Sequence, residues 1–370
     1  MVRAAVMTGV GAPLEVRDDV EVQGPRPGEV LVRMRASGVC HTDLSVQNGT
    51  TLAPVPMVLG HEGAGVVAEV GDEVTSVHPG DHVVTCWVPQ CGRCFWCSRG
   101  DAHLCERSTV AFATGGLLDG TTRLVSGGAP LFQLSAAGTF SEMAVVPETG
   151  VVKVDPDLDL HVAALLGCAV LTGVGAATNT ADVGDGDTVA VVGCGGVGLN
   201  VVQGARLAGA ERVIAVDVSR AKLETARRFG ATDVVDASQG DPVAKVMALT
   251  GQRGADVSFE VVGLQRTIDQ TVTMTRRGGQ AVLVGLPGMA ARLQVPAFLG
   301  MVMSAKTVKG CWYGSADVRR DVPRLVELYH QGRLELDELV TRIIALDQVN
   351  EAFAAMEGGE VARSVISYPA

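Results

Sequence analysis

Aromatic side chains are scarce, at 4 % of 370 residues, and charged ones make up only 19 %. With 47 % hydrophobic residues the packing falls to aliphatic side chains, which describes a well-packed globular chain and excludes a disordered one. A basic excess is also missing: 30 Lys and Arg face 41 Asp and Glu, a net charge of −11, which argues against nucleic acid or an anionic membrane as partner. No apolar run is expected to reach the roughly 18 residues of a membrane helix. The start, Met1-Val2-Arg3-Ala4-Ala5-Val6-Met7, lacks a signal-peptide layout and reads as a strand, so a cytoplasmic protein is expected. A disulfide framework is excluded on similar grounds: nine cysteines are an odd count, they cluster, and no export signal accompanies them, so reduced thiols and metal are expected instead.

What is present begins with Gly38-Val39-Cys40-His41-Thr42-Asp43 and Gly60-His61-Glu62-Gly63-Ala64-Gly65. A thiolate and an imidazole stand 21 positions apart, each followed closely by a carboxylate. Zinc takes both donors, and a catalytic site needs three ligands and one open position. Asp43 and Glu62 read as outer groups that orient the ligands and tune their basicity. Cys168, in Gly167-Cys168-Ala169 at the head of an apolar helical stretch, is either a small core residue or a third ligand.

Cys91, Cys94, Cys97 and Cys105 follow the pattern C-x2-C-x2-C-x7-C. Four sulfurs fill the zinc tetrahedron and leave no place for substrate, so this lobe, about residues 86–110, reads as a structural zinc site. An iron–sulfur cluster would fit the residue types, but the ferredoxin spacing and its following proline are absent. Cys86, Cys194 and Cys311 receive no role. Around these motifs, residues 1–37 and the runs at 66–70, 81–85 and 140–146 alternate Val-rich strands with Gly/Pro turns. Residues 106–140 are left without elements apart from a hairpin-type turn at Asp119-Gly120.

In the second half an apolar strand at 188–192 runs into Gly193-Cys194-Gly195-Gly196-Val197-Gly198 and then a helix through residue 208, the context a dinucleotide turn requires. The next strand ends in Asp217, 19 positions past Gly198, where a carboxylate takes ribose hydroxyls and repels a 2′-phosphate, favouring NAD over NADP. Lys222 is a further candidate ribose contact. Strands at 257–262 and 281–285 complete a doubly wound parallel sheet. Amphipathic helices at 322–329 and 349–356 and a closing strand at 363–368 return the chain to its first domain, with a cleft expected between the two.

With these motifs placed, the sequence resembles the zinc-dependent alcohol dehydrogenases of the medium-chain dehydrogenase/reductase superfamily over nearly its whole length, in the branch of liver enzymes and glutathione-dependent formaldehyde dehydrogenases. The segments Leu118-Asp119-Gly120-Thr121-Thr122-Arg123 and Gly138-Thr139-Phe140-Ser141 carry the branch assignment. Leu165-Leu166-Gly167-Cys168 and Ser364-Val365 add a likeness to actinobacterial members, one of them mycothiol-dependent. The Cys₂His set of Cys40, His61 and Cys168 is the one known from alcohol dehydrogenase, so it is matched rather than derived.

The resemblance implies an α/β chain. A GroES-like, mostly β catalytic domain (1–169 and 312–370) would join a Rossmann domain (170–311), with two zinc ions, NAD, and a homodimer or tetramer. It places His41 and Arg363 at the cofactor pyrophosphate, Val197 at the nicotinamide, Thr42 at the start of a proton relay, Trp87, Leu134 and Leu286 around the substrate, and Leu286 also among the cofactor contacts. The relay histidine of the liver branch is Ser45 here, and the positions that hold glutathione's carboxylates are Thr51 and Thr109. The expected activity is reversible NAD-linked oxidation of a primary alcohol, aliphatic or aromatic, to its aldehyde. The alternatives are an S-(hydroxymethyl)-thiol formaldehyde dehydrogenase of mycothiol or glutathione type, and a catalytically silent NAD-binding protein.

Overall fold

The computed structural model describes residues 1–359 and 363–369. It divides into two compact units: Met1–Ala169 with Asp317–Gly332 and Leu336–Ala370, and Val170–Ala316 with Arg333–Glu335. The second unit extends past residue 311, where the sequence reading ends it, for a local reason. Asn179 Nδ2 donates to the Gly314 carbonyl at 3.3 Å and the hydroxyls of Thr180 and Ser315 bond at 2.8 Å. Arg333–Glu335 joins it because Gln203 accepts from the Glu335 N–H at 2.7 Å and donates to its carbonyl at 3.0 Å.

The first unit is mostly β. Strands Val2–Met7, Glu15–Val22, Leu124–Ser126, Ala129–Gln133 and Met57–Val58 close a barrel. A seven-stranded sheet adds Val151–Lys153, His82–Thr85, Glu62–Val70, Glu29–Gly38, Ser364–Ser367 and Arg342–Ile344, with Met143–Pro147 also paired to Glu29–Gly38. Their alternating apolar faces, Val30, Val32 and Met34 among them, form the main core. Register sets the site: Gly38 pairs with Glu62 on one side and Val365 on the other.

Residues 106–140 do hold structure. A helix Glu106–Thr114 ends at Gly115 in the left-handed region (φ 66°), followed by the hairpin Leu124–Ser126 and Ala129–Gln133. A tight turn forms at Asp119-Gly120 as the sequence suggests, with the Gly120 N–H donating to the Leu117 carbonyl at 2.9 Å and the Leu117 N–H to the Thr121 carbonyl at 2.8 Å, and the hairpin of the two strands turns at Gly127 and Gly128, both with positive φ. Asp119 accepts from the Thr121 N–H with one oxygen, at 2.9 Å, and with the other meets Arg123 at 2.8 Å, whose guanidinium is buried against Glu29.

The helical stretch around Cys168 also begins earlier than expected. It runs Leu160–Thr180, 21 residues with a membrane-length window of mean hydropathy 1.9, contrary to the expectation of no such run. That window is 83 % buried within the protein, so its apolar surface serves as core. Two π-turns, Leu166–Val170 and Ala176–Thr180, interrupt the α pattern and obscure the 3.6-residue period in the sequence.

The second unit contains six parallel strands: β1 Thr188–Val192, β2 Arg212–Asp217, β3 Asp233–Asp236, β4 Ala255–Glu260, β5 Thr275–Leu283 and β6 Thr307–Gly310. Their order is β3-β2-β1-β4-β5-β6, so the chain direction across the sheet reverses between β1 and β4. β1 and β2 are continuous apolar runs because both faces are covered.

Candidate functional site

Cys40 is the extended N-cap residue of the helix His41–Gln47. Asp43, one turn later and fully buried, accepts from the Cys40 N–H at 2.9 Å, from the Gly60 N–H at 3.0 Å, and stands 3.0 Å from His61 Nδ1. One carboxylate thus holds both sequence-distant donors and accepts the hydrogen bond of the Nδ1–H tautomer, which leaves His61 Nε2 as the ligand atom. Cys168 is brought in by the π-turn, whose Gly167 lies so close to the Thr85 carbonyl that a Cβ would overlap it. Donor atoms of Cys40, His61, Glu62 and Cys168 all lie within 4.8 Å of one another, and all four residues are buried.

Glu62 therefore lies within reach of the donors and not only behind them. The cause is the strand pairing with Gly38: a Cβ there would overlap Glu62 Oε2, so glycine makes the space for the carboxylate. Both Glu62 oxygens are buried and accept no hydrogen bond from the described residues, while Arg363 Nη2 lies 3.5 Å away. Burial pushes the Glu62 carboxyl up to about 7, with Arg363 pulling the other way. The hydrogen bond from Cys168 holds the Cys40 thiol well below the ordinary range, and the same bond together with burial pushes Cys168 up. Two sulfurs, an imidazole and an orphaned carboxylate suit a zinc ion.

Arg363, expected at a pyrophosphate, is buried and donates to the Val39 carbonyl at 3.3 Å beside Glu62. His41 is exposed and Thr42 and Ser45 half-buried on the helix that Cys40 opens. Trp87 meets the His61 ring edge-on at 6.2 Å and continues to Phe112 at 5.8 Å. Leu134 is a member of the main apolar core. Thr51 is half-buried and Thr109 exposed. The second cysteine group is as the spacing predicts: sulfurs of Cys91, Cys94, Cys97 and Cys105 lie within 4.8 Å of one another, and Cys105 Sγ accepts from the Cys91 N–H at 3.4 Å.

In the second unit β1 ends at Gly193 with φ +97°, a conformation glycine adopts without strain. Gly198 packs so tightly that a Cβ would overlap the Gly193 carbonyl. Gly195 is different. It has an ordinary φ of −78° and nothing within 4 Å of where its Cβ would point, so no internal contact demands glycine there. The open face sits at the N-terminus of the helix Gly196–Leu207, where backbone N–H groups favour a phosphate. Val197 is half-buried in the first turn of that helix, and Cys194 is buried. Asp217, at the end of β2, accepts from the N–H of Cys194 and of Ser219, both at 2.8 Å, which fixes its carboxylate beside the turn. Lys222 is half-exposed one turn into the following helix, and Leu286 is 44 % exposed after β5. Sequence reasoning missed Glu260, a fully buried carboxylate at the end of β4; a lone charge in the apolar run Val257-Ser258-Phe259-Glu260-Val261-Val262 is the signal that marks it.

Residues 26–156 match the family model of the alcohol dehydrogenase GroES-like domain, and residues 196–331 that of the zinc-binding dehydrogenases. An S-(hydroxymethyl)glutathione dehydrogenase of Photobacterium damsela subsp. piscicida is 41 % identical over 369 residues, 99 % of each chain. This chain is a zinc-dependent alcohol dehydrogenase by family. Solved structures agree over its whole length. An alcohol dehydrogenase zinc-binding domain protein from Burkholderia ambifaria superposes with a TM-score of 0.93 at 34 % identity, and the benzyl alcohol dehydrogenase of Acinetobacter calcoaceticus with 0.92 at 32 %, each covering 100 % of this chain and 99 % of the other. A zinc-binding dehydrogenase from Sinorhizobium meliloti 1021, bound to NADP, follows at 0.81 and 27 %, with the same coverage. For a dehydrogenase of this family the donor group and the glycine turn are the places for zinc and a nicotinamide cofactor.

Proposed function

We propose that this dehydrogenase uses NAD to oxidise the hydroxymethyl group of a formaldehyde–thiol adduct, RS–CH₂OH, to the thioester RS–CHO. The observation that carries this reading is the full-length, 41 % identity to S-(hydroxymethyl)glutathione dehydrogenases. It moves ahead of the simple primary alcohol that the sequence alone put first. An S-hydroxymethyl adduct is itself a primary alcohol, so the same donors serve both. Oxidation of a simple alcohol is the second reading, favoured by the likeness to benzyl alcohol dehydrogenase and by the neutral Thr51 and Thr109.

Cys40, His61 and Cys168 would hold the zinc, with Glu62 beside them. When bound, zinc supplies the Lewis acidity that lowers the pKa of a substrate hydroxyl. Asp43 keeps His61 in the tautomer that presents Nε2. Thr42 can both accept and donate a proton and starts the path by which the hydroxyl proton leaves. NADH formation tests the reading: formaldehyde should support it only when a low-molecular-weight thiol is added, with glutathione and other thiols compared. Turnover of benzyl alcohol, with no response to formaldehyde and any thiol, would put the second reading first.

Asp217 supports NAD over NADP. Asp217→Ser is expected to lose about 2 kcal/mol of charge-assisted bonding to the ribose, roughly a thirtyfold rise in KM for NAD, and to narrow the gap to NADP. An unsubstituted enzyme that already prefers NADP would refute this. A homodimer is also proposed. β6 is the edge of its sheet, and Leu293, Phe298, Leu299, Val302 and Met303 beside it in sequence are at least half exposed, a patch that a second copy would cover by pairing the edge.

A further inference from the structure

We infer that Glu260 is a positioning residue for the nicotinamide half of the dinucleotide, an inference that rests on the NAD reading above. Its carboxylate is fully buried at the end of β4, the strand beside β1 where the sheet reverses direction. Dinucleotides lie across that reversal outside the carboxyl ends of the strands. Asp217 stands on β2, in the β1–β3 half, and marks the adenosine side; β4 and β5 belong to the other half.

Glu260 Oε1 accepts three hydrogen bonds, from the N–H of Val262 at 3.0 Å, the N–H of Gly263 at 2.8 Å and the Thr267 hydroxyl at 2.6 Å. Its backbone carbonyl accepts from Val284 at 2.8 Å and Gly285 at 2.9 Å. One residue therefore ties the loop after β4 to the loop after β5. The two loops are in close contact as a result: a Cβ on Gly263 would lie 2.6 Å from the Leu286 carbonyl, and one on Gly285 would lie 2.6 Å from Glu260 Oε2. The loop after β4 also reaches the glycine turn, where a Cβ on Gly193 would lie 2.6 Å from Val262 Cγ2.

The second oxygen, Oε2, is buried and accepts no hydrogen bond from the described residues. A carboxylate with half its capacity unused is costly in a core. An apolar residue would fill the strand end without that cost, but it could not hold two consecutive N–H groups and a hydroxyl at one point. The arrangement makes sense as a means of fixing backbone geometry at the crevice, so that the loops meet the cofactor already in place.

The test is Glu260→Gln, which keeps the shape and removes the charge, read by titration with NADH and separately with ADP-ribose. ADP-ribose shares the adenosine and pyrophosphate of the cofactor but has no nicotinamide. NADH binding is expected to weaken about tenfold, the worth of one charge-assisted hydrogen bond, while ADP-ribose binding changes less than about twofold. KM for NAD should rise with little change in KM for the alcohol, and zinc content should be unaffected. Thr267→Val, which removes one of the three donors, should show the same split more weakly and serves if the first variant does not fold. Equal weakening of both ligands, or no change in either, would overturn the assignment. Failure of the unsubstituted protein to bind either ligand would be a different result, refuting the NAD reading itself and this assignment with it.

Discussion

Cys168→Ser is expected to lower kcat/KM by about 1,000-fold while leaving the fold intact. The metal contributes several kcal/mol of charge stabilisation to the reacting oxygen, and about 4 kcal/mol corresponds to that factor. Glu62 makes the outcome informative. Its carboxylate already lies within ligand reach of Cys40 and His61, so the variant retains three donors. If the carboxylate replaces the lost sulfur, zinc stays but its surroundings change, and activity falls because the thiolate that tunes the ion is gone. If it does not, zinc is lost on dialysis. Zinc analysis separates these cases, and adding Glu62→Gln should empty the site in either. The fold should survive because serine is close to cysteine in volume and the surrounding helix is buried by its apolar residues. Retention of turnover within about tenfold would remove Cys168 from the site.

Most of the two cysteine groups and the glycine turn could be read from the sequence because their spacing is local. Cys91 to Cys105 occupy one short lobe, and Gly193 to Gly198 one turn. What could not be read depends on register between distant strands. That the Glu62 carboxylate comes within reach of the other donors is set by strand pairing, which lays it over Gly38. Arg363 is 324 positions from Val39, whose carbonyl it binds, and only the antiparallel pairing of Ser364–Ser367 with Glu29–Gly38 brings them together. The helix Glu106–Thr114 was hidden by a composition rich in Ser, Thr and Ala, although Gly115 is an ordinary glycine helix stop. Asp119-Gly120 makes the turn its chemistry suggests, but the second carboxylate oxygen of Asp119 also binds Arg123, a contact that no local pattern announces. In the helix Leu160–Thr180 the π-turns shift the apolar period twice, so the run does not read as one element.

The structural lobe carries the other large expected effect. Cys91→Ser should remove one zinc per chain and open residues 91–105 to protease while activity declines as a consequence. The argument is from burial. The short helix Phe95–Ser98 has no buried residue, Phe95 and Trp96 are exposed, and between residues 91 and 105 only Ala102 and Cys105 are buried. Fully burying a large apolar side chain contributes about 1.5–3 kcal/mol, and alanine less, so the lobe has no core able to offset the entropy of ordering fifteen or so residues at roughly 1–2 kcal/mol each. Four thiolates around one cation supply the largest single part of what is needed: structural zinc contributes about 10–16 kcal/mol in small zinc-dependent folds. The remaining three sulfurs hold the ion more weakly, and the serine oxygen is a poor substitute. Trypsin should then cut at Arg93 or Arg99, both exposed, within the time the unsubstituted enzyme resists. Chelation should produce the same cuts in the unsubstituted enzyme, and added zinc should protect it but protect the variant only at much higher concentration. A variant that keeps its full zinc content and its resistance would show that the lobe is ordered by something other than these four sulfurs.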